Sequence, residues 1–438
     1  MSTDVGREPI GGQARFKRPY LKIGVVVVIA VSVIGLGYLG PRPPSQHSSP
    51  AASSAAEPLP SAEASLGPVA AASGPETLGI QALTRLATVE PQAGQMRFSQ
   101  LSASITSRVP AILGLRLFYV ADGNRIESTV IGTAGSTQTL VRLPPCRAVN
   151  QLAAAGHEIA YVVTMPVGAP ADSTGCGTSS TVAWSVWLLD LDGGEPTEIT
   201  FGSRAPTSIE VAEMPVHIAL TDSAVAFDVP SAGGDSAEAL EVLSLDGTAL
   251  WRSNTQSPVQ AVMLGGGRLA FLTSQVLPTP GRLNLWTSTA THPAPVLVAE
   301  AASAAALSSD GAFLTWDLPP AEAKPASILE SAVAVETLDT GVVELVATPT
   351  GPAPAEPLQM AVTTTARGPL LSWFATAPGG SVYPAFRFAA ALAGGVIGSF
   401  QQPVWLTVEA GTLVWIAENS DGSSVVAFAV DVSNLGPM

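Results

Sequence analysis

The stretch Ala306-Leu-Ser-Ser-Asp-Gly-Ala-Phe-Leu-Thr-Trp316 shows the pattern that decides the fold of this 438-residue chain. A short apolar run leads into Asp310-Gly311, and a second apolar run ends in an aromatic residue. Asp-Gly between apolar runs is a strong hairpin signal, because glycine adopts the positive φ that tight hairpin turns need. Asp-Gly recurs at 122–123, 192–193, 246–247 and 421–422, and no segment after about residue 95 keeps a 3.6-residue period. This region is therefore predicted to be all-β.

The same unit recurs along the chain as a run that ends in an aromatic residue, followed by a second, alternating run. The recurring aromatic residues are Tyr119, Tyr161, Phe227, Phe271, Trp316, Trp373 and Trp415. They stand 42 to 66 residues apart, and a four-stranded propeller blade takes about 40–50 residues. Small sheets cannot bury their apolar faces alone, but a closed ring of them can. The spacing predicts a β-propeller of about seven four-stranded blades over residues 95–438. Six or eight blades would also fit, whereas a β-sandwich would not explain the repeat.

Three stretches carry a family resemblance. Residues 306–316 resemble the strand–turn–strand unit of WD40-like and TolB-like bacterial propellers, and residues 186–195 and 335–341 resemble the strand that follows it. The Gly-His of true WD40 repeats is missing, and Trp316-Asp317 stands at the wrong strand end. The resemblance implies a propeller fold. It implies little about function, because propellers host many functions.

The N-terminal region is predicted to anchor the chain in a membrane. Residues 23–40 lack charge and include Ile23, Val28, Ile34 and Leu39, which we expect to contact the lipid bilayer of a transmembrane helix. Residues 1–22 carry five basic and two acidic side chains, and basic flanks stay in the cytoplasm. We therefore expect a single-pass protein of the bacterial cytoplasmic membrane, with its C-terminal domain outside. A cleaved signal peptide is the alternative.

Between anchor and propeller, residues 41–94 are rich in Pro, Ala and Ser and are predicted to be a flexible linker. Weak helical spacing over 76–94 also allows a short helix. The net charge of −15 argues against a nucleic-acid partner, which would need a basic face. The two cysteines, Cys146 and Cys176, are predicted to form a disulfide in an exported domain. Two buried free thiols are the alternative.

The sequence indicates no catalytic, cofactor-binding or metal-binding residue. H-E-x-x-H, G-x-S-x-G and calcium-loop patterns do not occur, and the G-x-G-x-x-G match at 35–40 lies inside the apolar anchor. A zinc site from His157, His217 and scattered carboxylates is geometrically conceivable in a ring. The eight tryptophans are assigned mainly to the core between blades.

The sequence therefore favours a non-catalytic, extracytoplasmic interaction or scaffold module of the cell envelope, with an envelope protein or glycan as partner. Proline- and glycine-rich insertions at 164–181 and 318–331 are candidate partner surfaces. One alternative is an envelope glycan hydrolase or lyase that uses paired carboxylates in the propeller channel. Another is a sensor that needs a partner to signal inward. Two facing acids beside tryptophans in the channel would favour the enzyme.

Overall fold

A computed structural model describes thirteen segments of the chain. They are residues 87–89, 95–101, 110–166, 182–204, 217–229, 239–274, 283–318, 331–348, 360–376, 382–389, 394–397, 402–418 and 425–433. Within these segments the regular structure is β-strand, arranged as seven sheets that we call blades 1 to 7. No described segment contains a helix long and apolar enough to cross a membrane.

The strands β1 to β29 follow one another in chain order. Two N-terminal strands come first: β1 (Ala87–Val89) and β2 (Met96–Leu101). Blade 1 has β3 (Ala111–Leu113), β4 (Arg116–Ala121), β5 (Arg125–Val130) and β6 (Gln138–Arg142). Blade 2 has β7 (Ala148–Ala155), β8 (Glu158–Pro166), β9 (Val182–Asp190) and β10 (Thr197–Arg204). Blade 3 has β11 (Ile218–Leu220), β12 (Ala224–Val229), β13 (Ala239–Ser244) and β14 (Ala249–Asn254).

Blade 4 has β15 (Val259–Gly265), β16 (Arg268–Ser274), β17 (Leu283–Thr289) and β18 (Val296–Ala302). Blade 5 has β19 (Ala305–Leu307), β20 (Phe313–Leu318), β21 (Ser331–Thr337) and β22 (Val342–Thr348). Blade 6 has β23 (Met360–Thr365), β24 (Gly368–Thr376), β25 (Val382–Phe388) and β26 (Gly394–Ile397). Blade 7 has β27 (Gln402–Glu409), β28 (Thr412–Glu418) and β29 (Val425–Asp431).

Neighbouring strands of blades 1 to 6 pair antiparallel in chain order, and the two N-terminal strands complete the last two blades. In blade 7 the order is β2-β29-β28-β27, so β2 supplies the outer strand and joins the start of the ring to its end. In blade 6, β1 adds a fifth strand and pairs parallel with β26. The protein is therefore a seven-bladed β-propeller, as the sequence predicted, and not one of six or eight blades.

The recurring aromatic residues account for how the blades stack. All seven lie in the second strand of a blade, and none is more than 6% exposed. Each belongs to a separate apolar cluster that joins its blade to the preceding one. Phe271 of blade 4, for example, packs with Ala226 and Val242 of blade 3. Burying an aromatic side chain at every joint supplies the apolar contact that an isolated four-stranded sheet lacks.

The Asp-Gly turns behave as predicted where the structure describes them. Asp122 and Gly123 both have positive φ, 54° and 75°, as the tight turn between β4 and β5 requires. Gly311 likewise has a φ of 70° in the loop between β19 and β20. The predicted tail 1–22, the helix 23–40 and most of the linker lie outside the described residues. Within the range 41–94 the structure describes only the strand β1.

Candidate functional site

The central channel is a large concave feature of the described part of the chain. The first strand of every blade lines it, and its volume is about 740 Å³. The wall consists mainly of Ala, Gly, Leu, Met, Val, Thr and Ser, and no Lys, Arg or His contributes to the described lining. Its aromatic member is Trp405, in the middle of β27. The described wall of the channel thus consists mainly of small and apolar side chains and carries no positive charge.

Among the described lining residues, charged side chains lie at one end of the channel only. The turns that join the first and second strands of the blades meet there, and they bring in Asp222 from blade 3, Asp310 from blade 5 and Glu409 from blade 7. We call these three residues the acidic mouth. They come from alternate blades, so an intervening blade separates each from the next along the sequence.

Glu409 connects the two blades at which the ring closes. Its Oε2 accepts a hydrogen bond of 2.9 Å from the backbone N–H of Gly114, in the turn between β3 and β4 of blade 1. Burial raises the pKa of this carboxyl above its usual range, and the Gly114 N–H acts in the opposite direction. Glu409 is therefore a partly buried carboxyl that spans blades 7 and 1.

Asp310 organises the contacts around blade 5. Its Oδ1 accepts hydrogen bonds from the Ser308 hydroxyl at 2.6 Å and from the Ala312 N–H at 3.1 Å. Burial acts to raise the pKa of Asp310, but these bonds and one from Thr364 of blade 6 hold it below its usual range. The carboxylate thus ties its own loop to the next blade.

Glycines let the turns at this end approach one another closely. The N–H of Gly266 in blade 4 donates to the Ser309 carbonyl of blade 5 at 3.1 Å. A Cβ on Gly266 would lie 2.0 Å from the Asp310 carbonyl oxygen, so only glycine fits there. Similarly, a Cβ on Gly156 of blade 2 would lie 2.9 Å from Oδ1 of Asp222. The turns of adjacent blades therefore touch around the acidic mouth.

The acidic mouth offers carboxylates but little convergent chemistry. Within the described segments, no three His, Cys, Asp or Glu side chains are grouped so that they could hold a metal ion. Two of the three mouth carboxylates, Glu409 and Asp310, already accept a hydrogen bond from a neighbouring blade. Glu409 is the mouth carboxyl whose pKa burial raises above its usual range.

The structure separates the histidines from which a zinc site was conceivable. His157 lies in the turn between β7 and β8, at the mouth end, with its Nδ1 3.6 Å from Asp192 Oδ2. His217 directly precedes β11 at the opposite end, where its Nδ1 lies 3.6 Å from Oδ2 of the buried Asp228. The two side chains therefore cannot share a ligand. His292 is exposed in the turn before β18.

Most of the tryptophans are core residues, as the sequence predicted. Five of them are buried, namely Trp184, Trp316, Trp373, Trp405 and Trp415. Cys146 lies between β6 and β7, but Cys176 falls outside the described residues, so the disulfide stays a prediction. The anchor residues Ile23, Val28, Ile34 and Leu39 and most of the insertions 164–181 and 318–331 also fall outside them.

Sequence reasoning missed Asp222 and Glu409 as channel residues and read Asp310 only as part of a turn. Their position in the sequence could have identified them, because the channel acids stand at or just before the turn that joins the first two strands of a blade. Finding them needs the short first strand to be recognised, and β11 and β19 have only three residues each.

No family model matches the chain, and no curated protein matches it. Among solved structures, it is similar to the β-propeller domain of the trilobed protease from Pyrococcus furiosus, with 8% identity, a TM-score of 0.48 and coverage of 76% of this chain and 97% of that one. TolB from Acinetobacter baumannii is 12% identical with a TM-score of 0.38, and the match covers 72% of this chain and 64% of TolB. An acylaminoacyl peptidase from Pyrococcus horikoshii is 10% identical with a TM-score of 0.45, and the match covers 74% of this chain and 49% of the peptidase. Scores this low carry no argument about function, and the assignment of the fold rests on the seven sheets themselves.

We predict that Glu409→Gln makes the protein less sensitive to pH. Because the folded-state pKa lies above the ordinary value of 4.5, the folded chain binds this proton more tightly than the unfolded chain. Stability from this group is thus present at low pH and lost as the pH rises through the folded pKa. Between pH 4 and pH 7, the urea midpoint of unfolding should fall less in Glu409→Gln than in the wild type.

Glu418→Gln is the matched control for this prediction, because Glu418 is exposed at the other end of the same β27–β28 hairpin. Its pH dependence should follow that of the wild type. If Glu409→Gln and the wild type lose the same stability between pH 4 and pH 7, folding does not raise the pKa of Glu409.

Proposed function

We propose that this protein is a non-catalytic interaction module, held outside a bacterial cytoplasmic membrane by its N-terminal segment, and that the end of the propeller bearing the acidic mouth is its contact surface. One observation carries the proposal. The carboxylates of Glu409 and Asp310 are engaged in contacts that join blades, and apart from Asp222 the rest of the described wall is small, apolar or hydroxyl-bearing. Such a surface suits recognition rather than bond breaking.

The membrane part of the proposal is supported by the sequence alone. An uncharged run at 23–40 follows a basic tail, which favours an anchored protein with its N-terminus inside. A C-terminally tagged full-length chain in spheroplasts tests it. We expect added protease to remove the tag without lysis, whereas protection of the tag until lysis would contradict an outside propeller.

The contact surface is tested by site-specific photocrosslinking of the full-length chain in its own membrane. A photoreactive residue at Ser223 or Ser309 would stand beside the acidic mouth, since both side chains are exposed and line the channel entrance. Thr139, exposed on the outer strand β6 of blade 1, is the matched control. We expect both mouth positions to capture the same envelope protein or glycan and Thr139 not to. Equal capture at all three positions would contradict the proposal.

An envelope glycan hydrolase or lyase is the second candidate, and Glu409 is the observation that favours it. A partly buried carboxyl with a raised pKa, in a channel that also contains Trp405, has the properties of a general acid. Incubation with envelope polysaccharides would then produce new reducing ends or unsaturated products, and Glu409→Gln would abolish them. Product formation that Glu409→Gln removes would replace the interaction proposal with the enzyme.

A further inference from the structure

The joint between β2 and β29 differs from the pairing of the third and fourth strands in the other six blades. In blades 1 to 6 the fourth strand follows the third directly along the chain, whereas β2 comes from the N-terminal side and pairs with the last strand. The register runs from Met96 opposite Val430 to Leu101 opposite Val425. Closure of the propeller thus depends on a strand that is joined to blade 7 only by non-covalent contacts.

β2 is held mainly through its backbone. Of its six side chains only Leu101 is buried, within the cluster between blades 7 and 1. Met96 is partly buried against the cluster between blades 6 and 7, and Phe98 is 67% exposed. The Ser99 hydroxyl accepts a hydrogen bond from the Gly132 N–H at 2.9 Å and is 3.4 Å from the Val130 carbonyl. A cavity of about 540 Å³ lies between residues 96–100 of β2 and residues 132–135 of blade 1. Few side-chain contacts therefore have to break for β2 to leave.

We propose that the outer edge of β29 is an exchange site that accepts residues 96–101 of a second copy of this chain, so that two propellers close each other's blade 7. A second copy is the occupant that fits, because it brings the same backbone donors and acceptors and the same Leu101 for the same apolar cluster. Exchange of an identical element replaces each lost contact with an equal one. Eight residues, 102–109, connect β2 to blade 1, and such a segment reaches up to about 28 Å when extended.

The short connection between β1 and β2 extends this exchange to blade 6. β1 precedes β2 by only a few residues and pairs with β26 over three residues, Ala87 to Val89. A β2 that moves to another copy takes β1 with it, so the second copy would cover the edges of both β26 and β29. This inference does not depend on the proposed interaction function, because it concerns only how the ring is closed.

The test mixes two full-length chains with different tags, one carrying Gln100→Cys and the other Val426→Cys, co-expressed in the same membrane. These positions face each other across β2 and β29. The adjacent pair Ser99→Cys with Ala427→Cys is tested in parallel, because neighbouring antiparallel pairs alternate in spacing and the closer pair suits a disulfide. The control mixture carries Thr287→Cys and Val296→Cys, which face each other across β17 and β18 inside blade 4.

We expect a disulfide-linked heterodimer of the two tags in at least one β2–β29 mixture, at least tenfold above the control mixture on non-reducing gels. Exchange explains this result because the control pair can meet between chains only by collision. Heterodimer at the control level in both β2–β29 mixtures would overturn the proposal, whether that level is low or high. Native Cys146 and Cys176 are kept in every chain, so their contribution is the same throughout.

Discussion

Replacing Phe271 with alanine is expected to lower the free energy of unfolding by about 3–5 kcal/mol, the range for removing a buried aromatic side chain. Phe271 is fully buried in β16, where it packs against blade 3 through Ala226 and Val242. The resulting cavity would lie between two sheets whose backbones are held by their own hydrogen bonds, so it can collapse only in part. Loss of one joint should weaken the whole ring, because each blade is buried by its neighbours.

Phe201→Ala is the matched control, since Phe201 lies on the outer strand β10 and is 75% exposed. The same chemical change there should cost no more than about 0.5 kcal/mol. Urea unfolding of the full-length protein, followed by tryptophan fluorescence, measures both variants without altering the number of tryptophans. Similar losses in the two variants would mean that burial between blades is not what Phe271 contributes.

The sequence predicted the second and third strands of all seven blades because both carry strong local signals. The second strand ends in a large aromatic residue that has to be buried between blades, and the third strand shows alternation, as in Val425-Val-Ala-Phe-Ala-Val430. A turn residue often separates them, as Asp122-Gly123 does in blade 1. Both signals involve residues that are close together in the sequence, so a single sequence without homologues is enough to recognise them.

The first and fourth strands were not predicted in detail, because tertiary context decides them. First strands such as β11 have three residues, too few for a period to show, and they exist because the ring needs an inner layer. Outer strands expose many side chains, as β14 does, so their pattern resembles that of a loop. The closing strand β2 pairs with residues more than 320 positions away, and no local pattern signals such a partner.

The candidate site was less predictable than the fold for a related reason. The acidic mouth unites residues from three blades that are far apart in sequence, and only closure of the ring places them at one channel end. Two other carboxylates, Asp228 and Asp317, are instead buried near the ends of second strands. Each directly follows the recurring aromatic residue of its blade, and each accepts hydrogen bonds from the backbone just before the first strand.

This recurring aspartate leads to the second large effect that we predict. Asp317→Ala should lower the free energy of unfolding by about 2–4 kcal/mol, because buried donors that lose a charged acceptor are left unsatisfied. Asp317 is 7% exposed, and its Oδ1 accepts hydrogen bonds of 2.7 Å from the N–H groups of both Ser303 and Ala304. Its Oδ2 accepts the hydroxyl of Ser303. The carboxylate thus fixes the chain where it enters β19, the inner strand of blade 5.

Asp317→Asn separates the loss of hydrogen bonds from the loss of charge. Its amide oxygen can still accept both backbone N–H groups in place of Oδ1, and its amide nitrogen can donate to the Ser303 hydroxyl oxygen. We therefore expect Asp317→Asn to lose less than half as much stability as Asp317→Ala, while Asp192→Ala, at an exposed turn, changes stability by no more than about 0.5 kcal/mol. All three are measured by urea unfolding at pH 7. Equal losses for the Asn and Ala variants would show that the negative charge, rather than the backbone hydrogen bonds, holds the inner strand, because only the Asn variant retains those bonds.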